Sequence, residues 1–139
     1  MKNLLKFRLK RSRRQEKPAP VHIPPSPLAQ SLIQGYLKGL RDQLEAEGRD
    51  HEIPLASGTR DQLEADCSRF YLQCAGFLLT SSDQAYRAGY DFFLARNGME
   101  EAFPQEIWSG KTSHTLIKIA EKFDESHPVE GDDGLLYVA

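Results

Sequence analysis

Residues 88–98 read Ala-Gly-Tyr-Asp-Phe-Phe-Leu-Ala-Arg-Asn-Gly, and the fold class depends on how this stretch is interpreted. A short helical segment that follows the polar turn at residues 81–83 is expected to end at Gly89. The run over 90–96 is rich in aromatic residues and closes on the turn dipeptide Asn97-Gly98, a combination that favours a β-strand. We therefore expect a strand over 90–96, and with it a mixture of helices and sheet.

The C-terminal residues 128–138 predict a β-hairpin. Two short apolar runs flank Gly-Asp-Asp-Gly at residues 131–134, and Asp and Gly tolerate the positive φ that a tight turn demands. Together with the strand over 90–96, this hairpin predicts a small, mainly antiparallel three-stranded sheet.

Three helices are predicted to pack on one face of that sheet. The first has Ser26 as its N-cap, a proline in its first turn, and Gly48 as its stop. The second begins at Thr59, three residues before a glutamine in a capping-box pattern, and has the clearest amphipathic pattern of the chain. The third begins near Thr112. The expected body is a single α+β domain over residues 28–139.

Two smaller patterns lie on the first two helices. Gly35 and Gly39 stand four residues apart beside the apolar stripe of the first helix, where they either form a flat facet for another backbone or are simply tolerated. Cys67 and Cys74 share the apolar stripe of the second helix, roughly 10 Å apart and beyond disulfide distance. We expect them to be free core residues, the alternative being a reactive thiol.

Charge is distributed unevenly along the chain. Residues 1–17 carry eight basic side chains and one acidic side chain, whereas the remaining residues carry ten basic and nineteen acidic ones, so a +7 arm precedes a −9 body. Residues 18–27 hold five of the eight prolines and favour an extended polyproline II spacer. The sequence therefore predicts a flexible basic N-terminal arm, a proline-rich linker and an acidic domain.

Composition excludes several classes of protein. The 139 residues are 40% apolar and 27% charged, which is ordinary for a globular protein and excludes wholesale disorder. No apolar run approaches the ~18 residues that a transmembrane helix needs, and the basic start lacks the cleavage pattern of a secretory signal. We expect a cytoplasmic protein.

Motifs of common enzyme classes are missing from the sequence. It has no dinucleotide-binding glycine pattern, no phosphate loop and no nucleophile elbow, and its histidines lack metal-ligand spacing. A hydrolase would have to use Asp91 to orient His114 as a general base, with Arg96 holding an anion, but nothing in the spacing requires this arrangement. We predict that the protein is not an enzyme and has no cofactor, metal or small-molecule substrate.

The stretch over 88–98 resembles the pattern Ala-Gly-x-Asp-Phe-x-Leu-x-Arg-Asn-Gly of an uncharacterised family of small bacteriophage-encoded proteins. The C-terminal Gly-Asp-Asp-Gly-Leu-Leu-Tyr at residues 131–137 resembles the end of the same family, and the similarity covers residues 60–139. Tyr90 stands where the family has His, and residues 99–104 replace its glycine-rich stretch. The resemblance implies a phage or mobile-element origin and brings no known chemistry.

We therefore expect a non-enzymatic protein that binds a host protein through its acidic body. An exposed Trp108 or Phe103 would anchor such a partner, the alternative being that both close the core. The candidate partner-binding residues are Phe103, Trp108, Asp91, Arg96 and Asn97.

A second hypothesis assigns the function to the basic arm. Its side chains could contact nucleic-acid phosphates, an anionic membrane surface or an acidic protein, or could form only a solvated tail. The residues concerned are Lys6, Arg8, Lys10, Arg11, Arg13 and Arg14.

Overall fold

The computed structural model describes residues 25–74 and 80–139, so the basic arm over 1–17 and most of the proline-rich linker lie outside the described residues. The described elements are, in chain order, α1 (Pro27–Ala46), α2 (Ser57–Cys74), α3 (Ser82–Arg96), α4 (Gly110–Ala120), β1 (Pro128–Glu130) and β2 (Leu136–Val138). Within these residues, no helix is long and apolar enough to cross a membrane.

The expected strand over 90–96 is wrong, because these residues form the C-terminal turns of α3. The Ser81 side chain caps the start of this helix by accepting the Gln84 N–H at 3.2 Å. Every residue over 91–96 is buried, so this part of α3 is enclosed on all sides. A helix enclosed in this way loses the polar face that reveals a helical period, and its short apolar run then resembles a strand.

The predicted C-terminal hairpin is confirmed. β1 and β2 pair in antiparallel register, with Val129 opposite Tyr137, and Gly134 takes a φ of 78° in the turn between them. This sheet has two strands in the described residues, and a single parallel bridge joins Leu55 to Leu136 on its other side. Over residues 25–74 and 80–139, four helices with a two-stranded sheet therefore replace the expected three helices on three strands.

Helices α1 and α3 form the central packed pair, and glycines let their backbones meet. Gly35 lies against the backbone carbonyl of Tyr86, and Gly89 lies against the backbone of Leu32 and Tyr36. A Cβ atom at either glycine would overlap these backbone atoms. Of the two alternatives for the glycine pair, the structure supports the flat facet at Gly35, which receives α3.

An aromatic cluster fills the space between this pair and the other elements. Phe70 of α2 stacks on Phe92 of α3, with ring centroids 4.2 Å apart and planes 6° from parallel. Cys67 and Cys74 are free and buried in the same core, as predicted. Burial raises the pKa of Cys67 well above that of an ordinary thiol and the pKa of Cys74 to about 12.

Candidate binding groove

The structure places all five predicted partner-binding residues inside the protein rather than on its surface. Trp108 is 3% exposed and Phe103 is 1% exposed, and their rings pack edge to face with centroids 5.7 Å apart. The remaining three residues are buried polar side chains of α3 and its C-cap, Asp91, Arg96 and Asn97. Trp108 and Phe103 close the core, so neither is an exposed anchor.

Two of these polar side chains hold neighbouring segments against α3. Asp91 Oδ2 accepts hydrogen bonds from Arg87 Nε at 3.1 Å and from Trp108 Nε1 at 3.0 Å, which fixes the segment between α3 and α4. Asn97 Oδ1 accepts the Ser126 N–H at 2.8 Å and fixes the segment before β1. The conspicuous polar residues over 91–97 therefore hold the fold together.

Arg96 has the most extensive of these contacts. Its Nε donates to the Asp124 carbonyl at 2.9 Å, and its Nη1 donates to Asp66 Oδ2 at 3.0 Å and to the Tyr36 hydroxyl at 3.2 Å. One guanidinium therefore joins α1, α2, α3 and the segment after α4. Burial raises the pKa of Tyr36 to about 12, partly offset by the nearby Arg96 charge, so the hydroxyl keeps its proton.

The hypothetical catalytic pair is not joined in the described residues. The hydrogen bonds of Asp91 go to Arg87 and Trp108, whereas His114 is exposed on α4. Among the described residues, no group of three or more His, Cys, Asp or Glu side chains is placed to hold a metal ion.

An open groove of about 700 Å³ lies between the C-terminal half of α1, one face of α3 and the segment that follows α3. The α1 residues that line it include Gly39 and Gln43. Its apolar lining includes Leu94, Met99 and Pro104. Its polar lining includes Lys38, Asp42, Tyr86, Arg87, Tyr90 and Glu101.

A hydrogen-bond network connects the α1 and α3 walls of the groove. Asp42 accepts from Lys38 Nζ at 2.6 Å and from the Tyr90 hydroxyl at 2.8 Å. The hydrogen bond from Lys38 holds the pKa of Asp42 below its usual value, and the same contact raises the pKa of Lys38. Burial and the adjacent Asp42 carboxylate raise the pKa of Tyr90 to about 12. Around neutral pH the network holds one carboxylate, one ammonium and one neutral phenol.

Sequence reasoning missed the groove, because its walls come from three separate segments. The only signal near it was the glycine pair, because Gly39 lets α1 lie close to the Tyr90 carbonyl and the Phe93 side chain. Tyr86 and Tyr90 lie one turn apart on α3 and face the groove together, but the expectation of a strand over 90–96 separated them.

Tyr36 and Tyr90, whose pKa values are raised to about 12, predict an alkaline loss of stability. An unfolded chain ionises its tyrosines near pH 10, whereas folded Tyr36 and Tyr90 keep their protons to about pH 12. Between these values the unfolded state binds fewer protons, so the free energy of unfolding falls as the pH rises, by about 2–3 kcal/mol for Tyr36. Urea denaturation at a series of pH values measures this slope. In an ultraviolet titration, the Tyr90→Phe variant should show one fewer tyrosine that ionises near pH 12 than the unchanged protein. An identical titration curve would contradict the raised pKa of Tyr90.

Comparisons of the chain with protein-family models, with curated proteins and with solved structures give no match. The groove is therefore interpreted from its own residues.

Proposed function

We propose that this chain is a non-enzymatic interaction protein of phage or mobile-element origin that binds a host protein through its acidic body, in the bacterial cytoplasm. The observation that carries the proposal is the composition of the open groove. Tyr86, Tyr90, Arg87 and Met99 line it, and tyrosine, arginine and methionine are the residue types enriched at protein interfaces.

The groove also has the exposure that a docking surface needs. Tyr86 is 39% exposed, and the side chains of Lys38 and Arg87 are 54% and 38% exposed, although each cation contacts a carboxylate. A partner can cover these groups without unfolding any element. Tyrosine and arginine also dominate the energetics of measured interfaces when a partner excludes water from them.

The charge of the body favours a partner with a basic surface. Residues outside the arm carry nine more acidic than basic side chains, and such an excess speeds the approach of a basic protein. Raised salt screens this attraction, so the association should slow and weaken as salt is added.

A second candidate function is nucleic-acid binding by the basic arm, and the +7 charge of residues 1–17 favours it. These residues lie outside the described part of the structure. If six of them contacted duplex phosphates, log K would fall with log salt with a slope of about −5.

The deciding experiment is affinity capture from bacterial lysate with three full-length proteins: the unchanged chain, a Tyr86→Ala variant, and a variant with the six named arm residues changed to glutamine. Each is washed at low and high salt, with and without nuclease. We expect a discrete protein that survives nuclease, is retained by the arm variant and is captured in a smaller amount by the Tyr86→Ala variant. Retention of nucleic acid alone, lost with the arm variant, would replace the proposal with the second candidate.

The control for Tyr86→Ala is Tyr137→Ala in β2. Both tyrosines are 39% exposed, but Tyr137 lies on the hairpin and is not among the groove residues. A partner lost equally from both variants would contradict the assignment of the groove.

A further inference from the structure

We propose that the groove binds an arginine side chain presented by a basic segment of the partner, with the Tyr86 ring as its platform and the Glu101 carboxylate as its counter-charge. This inference rests on the proposed function and names the chemistry that the groove recognises. It follows from two features of the described residues: the Glu101 carboxylate has no ion-pair partner, and the exposed Tyr86 ring has no cation over it.

Most charges in the groove are already neutralised by neighbours within the protein. Lys38 pairs with Asp42 at 2.6 Å, and Arg87 pairs with the buried Asp91 carboxylate at 3.1 Å. Among the described residues, Glu101 has neither an ion pair nor a side-chain hydrogen bond, and it is exposed. Because each of these cations already has a carboxylate partner, Glu101 is the lining charge left without a counter-ion among the described residues, and the body around the groove is acidic as well. A cation is therefore the complementary ligand.

The protein already shows how a guanidinium sits beside this face of α3. The Arg87 guanidinium carbon lies 5.6 Å from the centre of the Tyr90 ring, within the range of a cation–π contact. Tyr86 lies one turn earlier on the same helix and also faces the groove. Among the described residues, no arginine or lysine lies over the Tyr86 ring, and the residue is 39% exposed. A guanidinium from the partner can occupy this equivalent position.

Arginine fits these features better than lysine. Its guanidinium is planar and weakly hydrated, so it stacks on an aromatic ring while its edge donates to a carboxylate. Lysine offers a compact, strongly hydrated charge without a flat face. We therefore expect arginine to bind more tightly than lysine, and citrulline, which has a similar shape but no charge, to bind least.

Each of the two contacts is individually modest. An exposed cation–π contact or an exposed ion pair changes a dissociation constant by a factor of about two to five. One arginine therefore binds weakly by itself, and a natural partner needs further contacts along the groove.

The test is a nuclear magnetic resonance titration of the full-length protein with the capped peptide Gly-Gly-Arg-Gly-Gly. Parallel titrations use peptides with lysine, citrulline or glutamate in place of the arginine. We expect the largest shifts at the backbone amides of Tyr86 and Glu101, in the order arginine, lysine, citrulline. Glu101→Gln and Tyr86→Ala should each weaken binding of the arginine peptide about two- to five-fold.

Matched controls lie on the hairpin at the C-terminal end of the chain. Tyr137→Ala and Glu130→Gln remove the same kinds of side chain from an exposed site outside the groove, and each should leave the affinity unchanged. Glu101 is exposed in the segment after α3, so Glu101→Gln tests the charge without a change to the core. The same titrations are repeated with the six arm residues changed to glutamine, which removes competition from the chain's own basic arm.

Several results would overturn the inference. Equal binding of the citrulline and arginine peptides would exclude charge recognition, and stronger binding of the glutamate peptide would assign the groove to an anion held by Lys38 and Arg87. Shifts confined to the hairpin, or no shifts in either background, would also refute it. If capture of a lysate partner depends on Tyr86 but the arginine peptide does not bind, the proposed function is supported and the arginine inference is refuted. If the peptides bind as expected and no such partner is captured, the proposed function falls.

Discussion

Replacing Gly89 with alanine is expected to lower the free energy of unfolding by about 3 kcal/mol or more. Gly89 lies where α3 crosses α1, against the Leu32 carbonyl and the backbone nitrogen of Tyr36. The added methyl group would meet backbone atoms, which cannot move aside as the end of a flexible side chain can. The two central helices must separate, and the aromatic rings packed between them, including Phe92, then lose contacts.

The matched control is Gly58→Ala in α2. Gly58 is also helical, but nothing lies within 4 Å of a Cβ atom built there. This change should leave stability unchanged or raise it by up to about 1 kcal/mol, because alanine has the higher helix propensity. Urea denaturation followed by circular dichroism measures both variants. A Gly89→Ala protein as stable as Gly58→Ala would show that α1 and α3 do not approach at this glycine.

The second large effect is expected for Asp66→Asn, which should lower the free energy of unfolding by about 3–5 kcal/mol. Asp66 and Arg96 form an ion pair 3.0 Å long, and their side chains are only 6% and 4% exposed. Loss of the carboxylate charge leaves the Arg96 guanidinium buried with neutral acceptors only, the Asp124 carbonyl and the Tyr36 hydroxyl. Neutral groups compensate poorly for the hydration that a buried cation has lost.

Arg69→Ala is the control for this pair. Arg69 contacts the other oxygen of Asp66 at 2.9 Å, but its side chain is 62% exposed, so its loss should cost less than about 1 kcal/mol. The double variant Asp66→Leu with Arg96→Met should cost less than the sum of its single changes, because both buried charges leave together. If Asp66→Asn were no more destabilising than Arg69→Ala, the buried pair would not support the fold as proposed.

Little of the groove could be predicted from the sequence. Asp42 on α1 meets Tyr90 on α3 only because the two helices cross at Gly35 and Gly89. Surface residues such as Glu101 follow no periodic pattern, so their place in a groove depends on how distant segments pack. The sequence predictions instead selected the most distinctive polar residues, and those hold the core together.

Local signals in the sequence by themselves determined α1, the C-terminal hairpin and the buried cysteines. Ser26 caps α1 by accepting the Ala29 N–H at 3.2 Å, and Gly48 follows its end with a φ of 71°. α2 begins at Ser57, two residues before the predicted start at Thr59. Caps, turns and amphipathic stripes depend on residues a few positions apart, so a single sequence displays them.

Only the tertiary structure decided that residues 90–96 are helical and that Arg96 pairs with Asp66, thirty residues earlier in the chain. α3 is enclosed by the rest of the protein along this stretch, and enclosure removes the alternation of apolar and polar faces that marks a helix. The ion pair likewise has no local signature, because a charge is stable in the core only when folding brings its partner to it.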